Sequence, residues 1–258
     1  AAAASYLGKE DDYNFLTGRS HSYRKYFDKS TGFVRGKDSN GNWRTPFDPF
    51  ASQHRADDYC EGNAWQYTWL VPHDVNGLAD CFGGRDKCIE KLDSLFVLSE
   101  FVGAGGSPDI SGLVGQYAHG NEPGHHILYL YAMLEQPWKT AARVREVLTS
   151  LYHAEPDGLC GNEDVGQMSA WYVLSALGFY QVEPASARYW FGTPLFDRAE
   201  ITVPDGKLVL IARNNSVLNK YIKRITLNGQ EYTKPYISYN DIMAGGELVF
   251  EMGAIPVR

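Results

Sequence analysis

Residues 161–184 read GNEDVGQMSAWYVLSALGFYQVEP, and the fold turns on this stretch. From Val165 to Leu177 it is apolar almost without interruption, the pattern of a buried helix, and Gly178 supplies a residue on which such a helix stops. Immediately before it, Gly161-Asn162-Glu163-Asp164 combines glycine, amide and carboxylates in a loop. Immediately after it, near residue 185, the chain changes character. Upstream, helix-like segments alternate with glycine-rich loops; downstream, short β-branched runs alternate with turn residues.

Working upstream, helices are expected over Asp12–Phe27, Val75–Phe82, Arg85–Phe96, Pro123–Leu134 and Trp138–Tyr152. Residues 33–60 form a long polar loop, a length that usually signals function or packing on a neighbour. Gly103–Pro108 reads as a linker between helices, because it lacks the Lys of a phosphate loop. The alanines at 1–4 are set aside from fold reasoning. Downstream, strands are expected over Tyr189–Phe191, Ala199–Val203, Lys207–Ala212, Ile222–Leu227, Tyr236–Ser238 and Glu247–Glu251, with Asn228-Gly229 and Gly245-Gly246 as hairpin turns. Helices followed by strands, rather than alternating with them, indicate an α+β chain divided at 5–185 and 186–258.

Composition narrows the function. The 258 residues carry 24 Lys and Arg against 31 Asp and Glu, a net charge of −7, without the basic face that a nucleic-acid binder needs. No apolar run approaches the roughly 20 residues of a membrane helix, and the first residues lack the basic and apolar regions of a signal peptide. Cys60, Cys81, Cys88 and Cys160 contain no CxxC pair and read as buried free thiols, with one or two disulfides open to a secreted protein. Aromatic residues reach 14%, and Tyr outnumbers Phe. Such rings serve a core or a wet, sugar-binding cleft.

Three loops share one layout. They are Cys60–Tyr67, Gln116–His126 and Cys160–Trp171, each placing glycine, amide and carboxylate just before an apolar segment. Helix capping accounts for any one of them. Three together indicate a site. Glycosidic hydrolysis needs two carboxyl groups flanking the scissile bond, and Glu61, Glu122, Glu163 and Asp164 are the candidates. Asn121 beside Glu122 is a hard-oxygen pair of the kind Ca²⁺ takes. His119, His125 and His126 lack zinc-site spacing and read as hydrogen-bonded site or core residues. Trp43, in the polar loop, is a candidate for ligand or interdomain contact.

The stretch at 161–184 closely resembles a signature of family 92 glycoside hydrolases, the calcium-dependent exo-α-mannosidases. The resemblance continues through RGKDSNGNWRTPFDPF (35–50), EGNAWQYTWLVPHD (61–74), HGNEPGHH (119–126) and the strand segments YWFGTPLFDRAEI, NNSVLNKYI, LNGQ and DIMAGGELVFEMG. It covers about Ser20 to Gly253. It implies part of an (α/α)-barrel catalytic domain, a six-hairpin toroid, over 5–185, followed by β-sandwich strands over 186–258. It implies inverting release of terminal mannose from glycans, with α-1,2 linkages expected and Ca²⁺ as cofactor. Carried over by motif, Glu61 is the general acid and Asp164 the general base. Asn121 and Glu122 hold the metal, and His119, Asn63, Gln167, Glu163 and Trp43 contact the sugar. Asn162 stands where many members have a second aspartate. The expected location is extracellular or periplasmic, in a bacterium. A toroid of a dozen helices exceeds the residues available here, so the chain is expected to expose apolar surface. It then needs either the N-terminal portion of the same enzyme or a second copy. The alternatives are a lectin-like binding fragment without catalysis and another inverting helical-barrel glycosidase.

Overall fold

The structure is a computed structural model and describes every residue except 101, 104 and 258. It divides into two compact units, Ala1–Gly124 and His125–Arg258. The architecture is mixed α and β.

The first unit opens with α1 (Ala2–Tyr6) and α2 (Glu10–Ser20). Of the N-terminal alanines set aside above, Ala2–Ala4 are thus helical. The helix expected to reach Phe27 stops at Ser20, a 3₁₀ turn follows, and Phe27 enters a short hairpin of β1 (Phe27–Asp28) and β2 (Phe33–Val34). Burial decides this. Phe27 packs edge-on to Phe82 at 4.8 Å, whereas α2 buries no residue and leaves Phe15 and Leu16 in solvent. Next come α3 (Ala64–Tyr67), α4 (Val75–Phe82), α5 (Arg85–Leu95) and the two-residue strands β3 (Leu113–Val114) and β4 (Tyr117–Ala118). Asp74 caps α4, and Gly83 ends it in the left-handed conformation. Trp69, Leu78, Leu92 and Leu95 form the buried centre. Part of the segment read as a linker, at Ala104, lies outside the described residues.

The second unit does not contain the helix expected over Pro123–Leu134. Two 3₁₀ turns, one beginning at Glu122 and one over Ile127–Tyr129, lead into α6 (Leu130–Met133). Gly124 weakens a helix there, and residues 125–132 are buried throughout, so packing on all sides sets their course. Two longer helices follow, α7 (Pro137–Ser150) and α8 (Gln167–Leu177). Pro137 occupies the first turn of α7, where its missing N–H is harmless. Gly178 ends α8 as expected, at φ 103°.

The strands are β5 (Phe179–Tyr180), β6 (Arg188–Phe191), β7 (Arg198–Val203), β8 (Gly206–Arg213), β9 (Tyr221–Leu227), β10 (Gln230–Glu231), β11 (Tyr236–Ser238) and β12 (Gly246–Gly253). They form a five-stranded sheet in the order β10-β9-β12-β8-β7 and a three-stranded sheet in the order β11-β6-β5. Leu208, Leu210, Leu248 and Phe250 of the first share one apolar core with Phe179, Phe191 and Ile237 of the second, and Leu174 and Leu177 of α8 pack against it. Asn228-Gly229 makes the expected hairpin, both residues at positive φ. Gly245-Gly246 does not. It leads from a short helix, α9 (Tyr239–Met243), into β12, which pairs parallel to β8 and antiparallel to β9. All four cysteines are free; Cys88 is buried, whereas Cys60 is exposed, contrary to expectation. No helix among the described residues is long and apolar enough to cross a membrane.

Candidate functional site

In the first unit, the loop before α3 presents Glu61. Its backbone N–H donates to the Tyr67 hydroxyl at 2.9 Å, and its carbonyl accepts from Asn121 Nδ2 at 3.0 Å. Gly62 lets the chain pass beneath Tyr67, because a Cβ there would stand 2.8 Å from that ring. The Glu61 carboxylate is partly exposed and lies 3.7 Å from Arg55 Nη2, a solvent-facing guanidinium. Two of the three predicted loops therefore meet in this unit, joined by the Asn121–Glu61 contact.

Asn63 is 2% exposed and is engaged within the protein at both ends of its amide. Its oxygen caps α3 at Gln66 N in a reciprocal capping box, and its Nδ2 donates to Gln116 Oε1 at 2.9 Å. Gln116 is fully buried and accepts from Gln66 Nε2 through its carbonyl; its own Nε2 donates to Ser99 O. Asn63 thus braces the Glu61 loop from behind, whereas the sequence reading put it on the sugar. His119 is likewise fully buried, its Nδ1 2.8 Å from the Tyr117 hydroxyl. Trp43 is half-buried beneath Lys37, whose Nζ lies 4.1 Å from the ring centroid, so one face of the indole is already covered.

The same unit holds a buried ion pair. Arg35 Nη1 donates to Asp28 Oδ2 at 2.6 Å, Arg35 Nη2 donates to the Arg44 carbonyl, and the guanidinium lies 4.2 Å from the Phe47 ring centre. Burial raises the Asp28 carboxyl, but bonds from Ser30 and Arg35 outweigh it and hold the group down at about 2. This pair anchors the start of the long polar loop. Elsewhere in the core, the Lys91 ammonium lies 3.5 Å and 4.0 Å from the ring centres of Phe33 and Trp65, and burial pulls it down to about 8.

In the second unit, the loop before α8 carries Glu163 and Asp164. Asp164 and Val165 both have positive φ, 41° and 60°, followed by Gly166 at 91°. A β-branched residue in the left-handed region is strained, and such strain is concentrated at functional sites. This run delays α8 to Gln167, two residues later than the sequence reading. Asp164 is exposed and makes no side-chain hydrogen bond among the described residues. Glu163 Oε1 accepts from Ser169 N at 3.3 Å, and its Oε2 is buried with no partner among the described residues. Gln167 Nε2 lies 3.2 Å from His125 Nδ1 and 3.1 Å from the Tyr180 hydroxyl, while Trp171 Nε1 donates to the His125 carbonyl. Sequence reasoning missed Tyr180, Arg55, Tyr67 and Gln116. Tyr67, Gln116 and Tyr180 lay inside the quoted segments, but only the fold shows what they hold.

Comparison with known proteins settles the class. The chain matches the glycosyl hydrolase family 92 catalytic domain over residues 1–254. It belongs to that family. It is 41% identical to a family 92 α-mannosidase of Bacteroides thetaiotaomicron solved in complex with mannoimidazole, covering 99% of this chain and 34% of that one with a TM-score of 0.93. It is 38% identical to an inverting family 92 mannosidase from the same bacterium, covering 99% of this chain and 35% of that one, with a TM-score of 0.87. It is 28% identical to an uncharacterized secreted glycosidase of Arthroderma benhamiae, over 96% of this chain and 33% of that protein. The chain therefore spans about a third of the length of these relatives, within a glycosidase catalytic domain.

Proposed function

We propose that this chain is the part of an inverting exo-α-mannosidase that carries both catalytic carboxyl groups, Glu61 and Asp164. The observation that carries this reading is the 99% coverage, at 41% identity, of a mannosidase solved with mannoimidazole. In this reading Glu61 gives its proton to the leaving glycosidic oxygen as the C1–O bond breaks. A water attacks C1 from the opposite face and passes its proton to Asp164. Inversion requires that the acid and the base leave room for that water beside C1. Tyr67, Asn121 and Asn63 hold the acid loop. Gln167, positioned by His125 and Tyr180, together with Glu163 and Trp43, contacts the sugar. Residues 5–185 then contribute to a helical toroid and 186–258 to a β-sandwich region.

Asn121 and Glu122 suit Ca²⁺. The Asn121 amide nitrogen is spent on Glu61 O, which leaves Oδ1 available, and Glu122 opens a 3₁₀ turn. No group of three or more His, Cys, Asp or Glu side chains that would hold a metal occurs among the described residues. A hard cation taking 6–8 oxygens would therefore complete its shell with carbonyls, water and sugar hydroxyls. When bound, it supplies a fixed positive charge that orients and polarises those hydroxyls. We further infer an α-1,2-linked mannoside substrate, an extracellular or periplasmic location, and completion of the active enzyme by an N-terminal portion or a second copy. The test is mannose release from α-mannobioses in the presence of Ca²⁺. It should be strongest on the 1,2-linked isomer, stopped by chelation, and lost in both Glu61→Gln and Asp164→Asn. Turnover that survives either substitution refutes the assignment.

A further inference from the structure

The second unit holds a cavity of about 400 Å³ that none of the three carboxylate loops lines. Its walls are the first turn of α7, strand β9 and the link between β10 and β11. The volume lies within the range of small-molecule sites. Trp138, Tyr221 and Tyr232 line it; ammonium groups lie 5.6 Å from the ring centres of Tyr221 and Tyr232, and Trp138 offers a flat apolar face of the kind on which pyranose rings stack.

Its charge departs from that of the chain. The chain as a whole carries −7, yet among the described residues this cavity is lined by Lys223, Arg224 and Lys234 against one carboxylate, that of Glu231. Lys223 is partly committed, because its Nζ donates to the Ile255 carbonyl at 3.0 Å. Arg224 and Lys234 are exposed and form no ion pair among the described residues. Lys234 Nζ lies 5.6 Å from the centre of the Tyr232 ring, so Arg224 is the freer of the two cations. Cations beside an aromatic wall select for negative charge on a ligand that also has a ring to stack.

We propose that this cavity is a non-catalytic site for an anionic saccharide, a sugar phosphate or a uronate. The proposal stands apart from the glycosidase reading and is tested without turnover. Calorimetric titration of the 258-residue chain would use glucose 6-phosphate, glucuronate, glucose and inorganic phosphate as probes. Both charged sugars should bind at least about tenfold more tightly than glucose, with affinity falling as salt is added. Arg224→Gln with Lys234→Gln, both exposed positions, should abolish that preference. Trp138→Ala should weaken glucose 6-phosphate while leaving inorganic phosphate unchanged. Stronger binding of glucuronate would identify a uronate site, and of glucose 6-phosphate a sugar-phosphate site. Three results would each overturn the proposal: glucose binding as tightly as the charged sugars, inorganic phosphate matching glucose 6-phosphate, or no effect of the double substitution.

Discussion

Asp28→Asn probes the anchor of the polar loop. The amide keeps an oxygen for the Ser30 N–H and hydroxyl but removes the charge that faces Arg35. A guanidinium side chain that is only 8% exposed is then left uncompensated. Breaking one partner of a buried pair typically costs about 3–5 kcal/mol. An independent figure comes from the carboxyl itself. A fall from 3.8 to about 2 corresponds to about 2.4 kcal/mol, slightly less once residual solvent is counted. The expected loss at neutral pH is therefore about 2–3 kcal/mol. Because the folded value is depressed, the stabilisation is present above 3.8 and disappears as pH falls towards 2. The difference between parent and variant should therefore close over that same interval. Urea unfolding followed by Trp fluorescence at a series of pH values measures both quantities. A neutral-pH difference below about 0.5 kcal/mol, within the range of ordinary surface changes, would refute the reasoning. So would a difference that stays constant through the acid range.

Other expectations concern single groups. Lys91→Met should stabilise the protein at neutral pH, because the ammonium is half-buried beside two rings with no carboxylate partner among the described residues. As Lys91 is depressed to about 8 from 10.5, that advantage should shrink as pH rises through this interval; a constant advantage would contradict the assignment. Val165→Gly should raise stability by up to about 1 kcal/mol through relief of its left-handed strain, read as a higher midpoint in thermal unfolding; a lower midpoint would show that the valine side chain is needed. Tyr67→Phe removes the acceptor for the Glu61 N–H and should cost about 1 kcal/mol of stability. In the active enzyme it should lower kcat with little change in KM, and an unchanged kcat would remove Tyr67 from the support of the acid loop.

Where one physical effect dominates locally, the sequence disclosed the structure. The apolar run before Gly178 and the left-handed capability of Asn228-Gly229 needed no tertiary information. Val75–Phe82 was legible for the same reason, with Asp74 and Gly83 marking its ends. Residues 123–134 were not. A segment buried on all sides has no amphipathic period to read, and its short turns follow from its neighbours. Phe27 was misassigned because helical spacing in α2 was mistaken for a core face that solvent in fact occupies. At the candidate site, Glu61 and Asp164 stood out as chemistry within glycine loops. Asn63 and His119 carry the same residue-level signal, but only burial reveals that their polar atoms are engaged within the protein. Tyr180 stood in the same quoted stretch as Gln167, but its contact with Gln167, thirteen residues away in sequence, is made only in the fold.

The insertion of β12 between β8 and β9 sets an order of events in synthesis. β8 and β9 follow one another along the chain, yet neither pairs with the other, and each offers its inner edge to a strand that begins only at Gly246. A nascent chain that has emerged as far as β11 therefore holds two open strand edges with no legitimate occupant, the state most prone to pairing with another molecule. β12 closes that gap from both sides at once. Truncation before Gly246 would accordingly remove the middle of the sheet, not its margin, and expression trials should treat the stretch from β7 through β12 as indivisible.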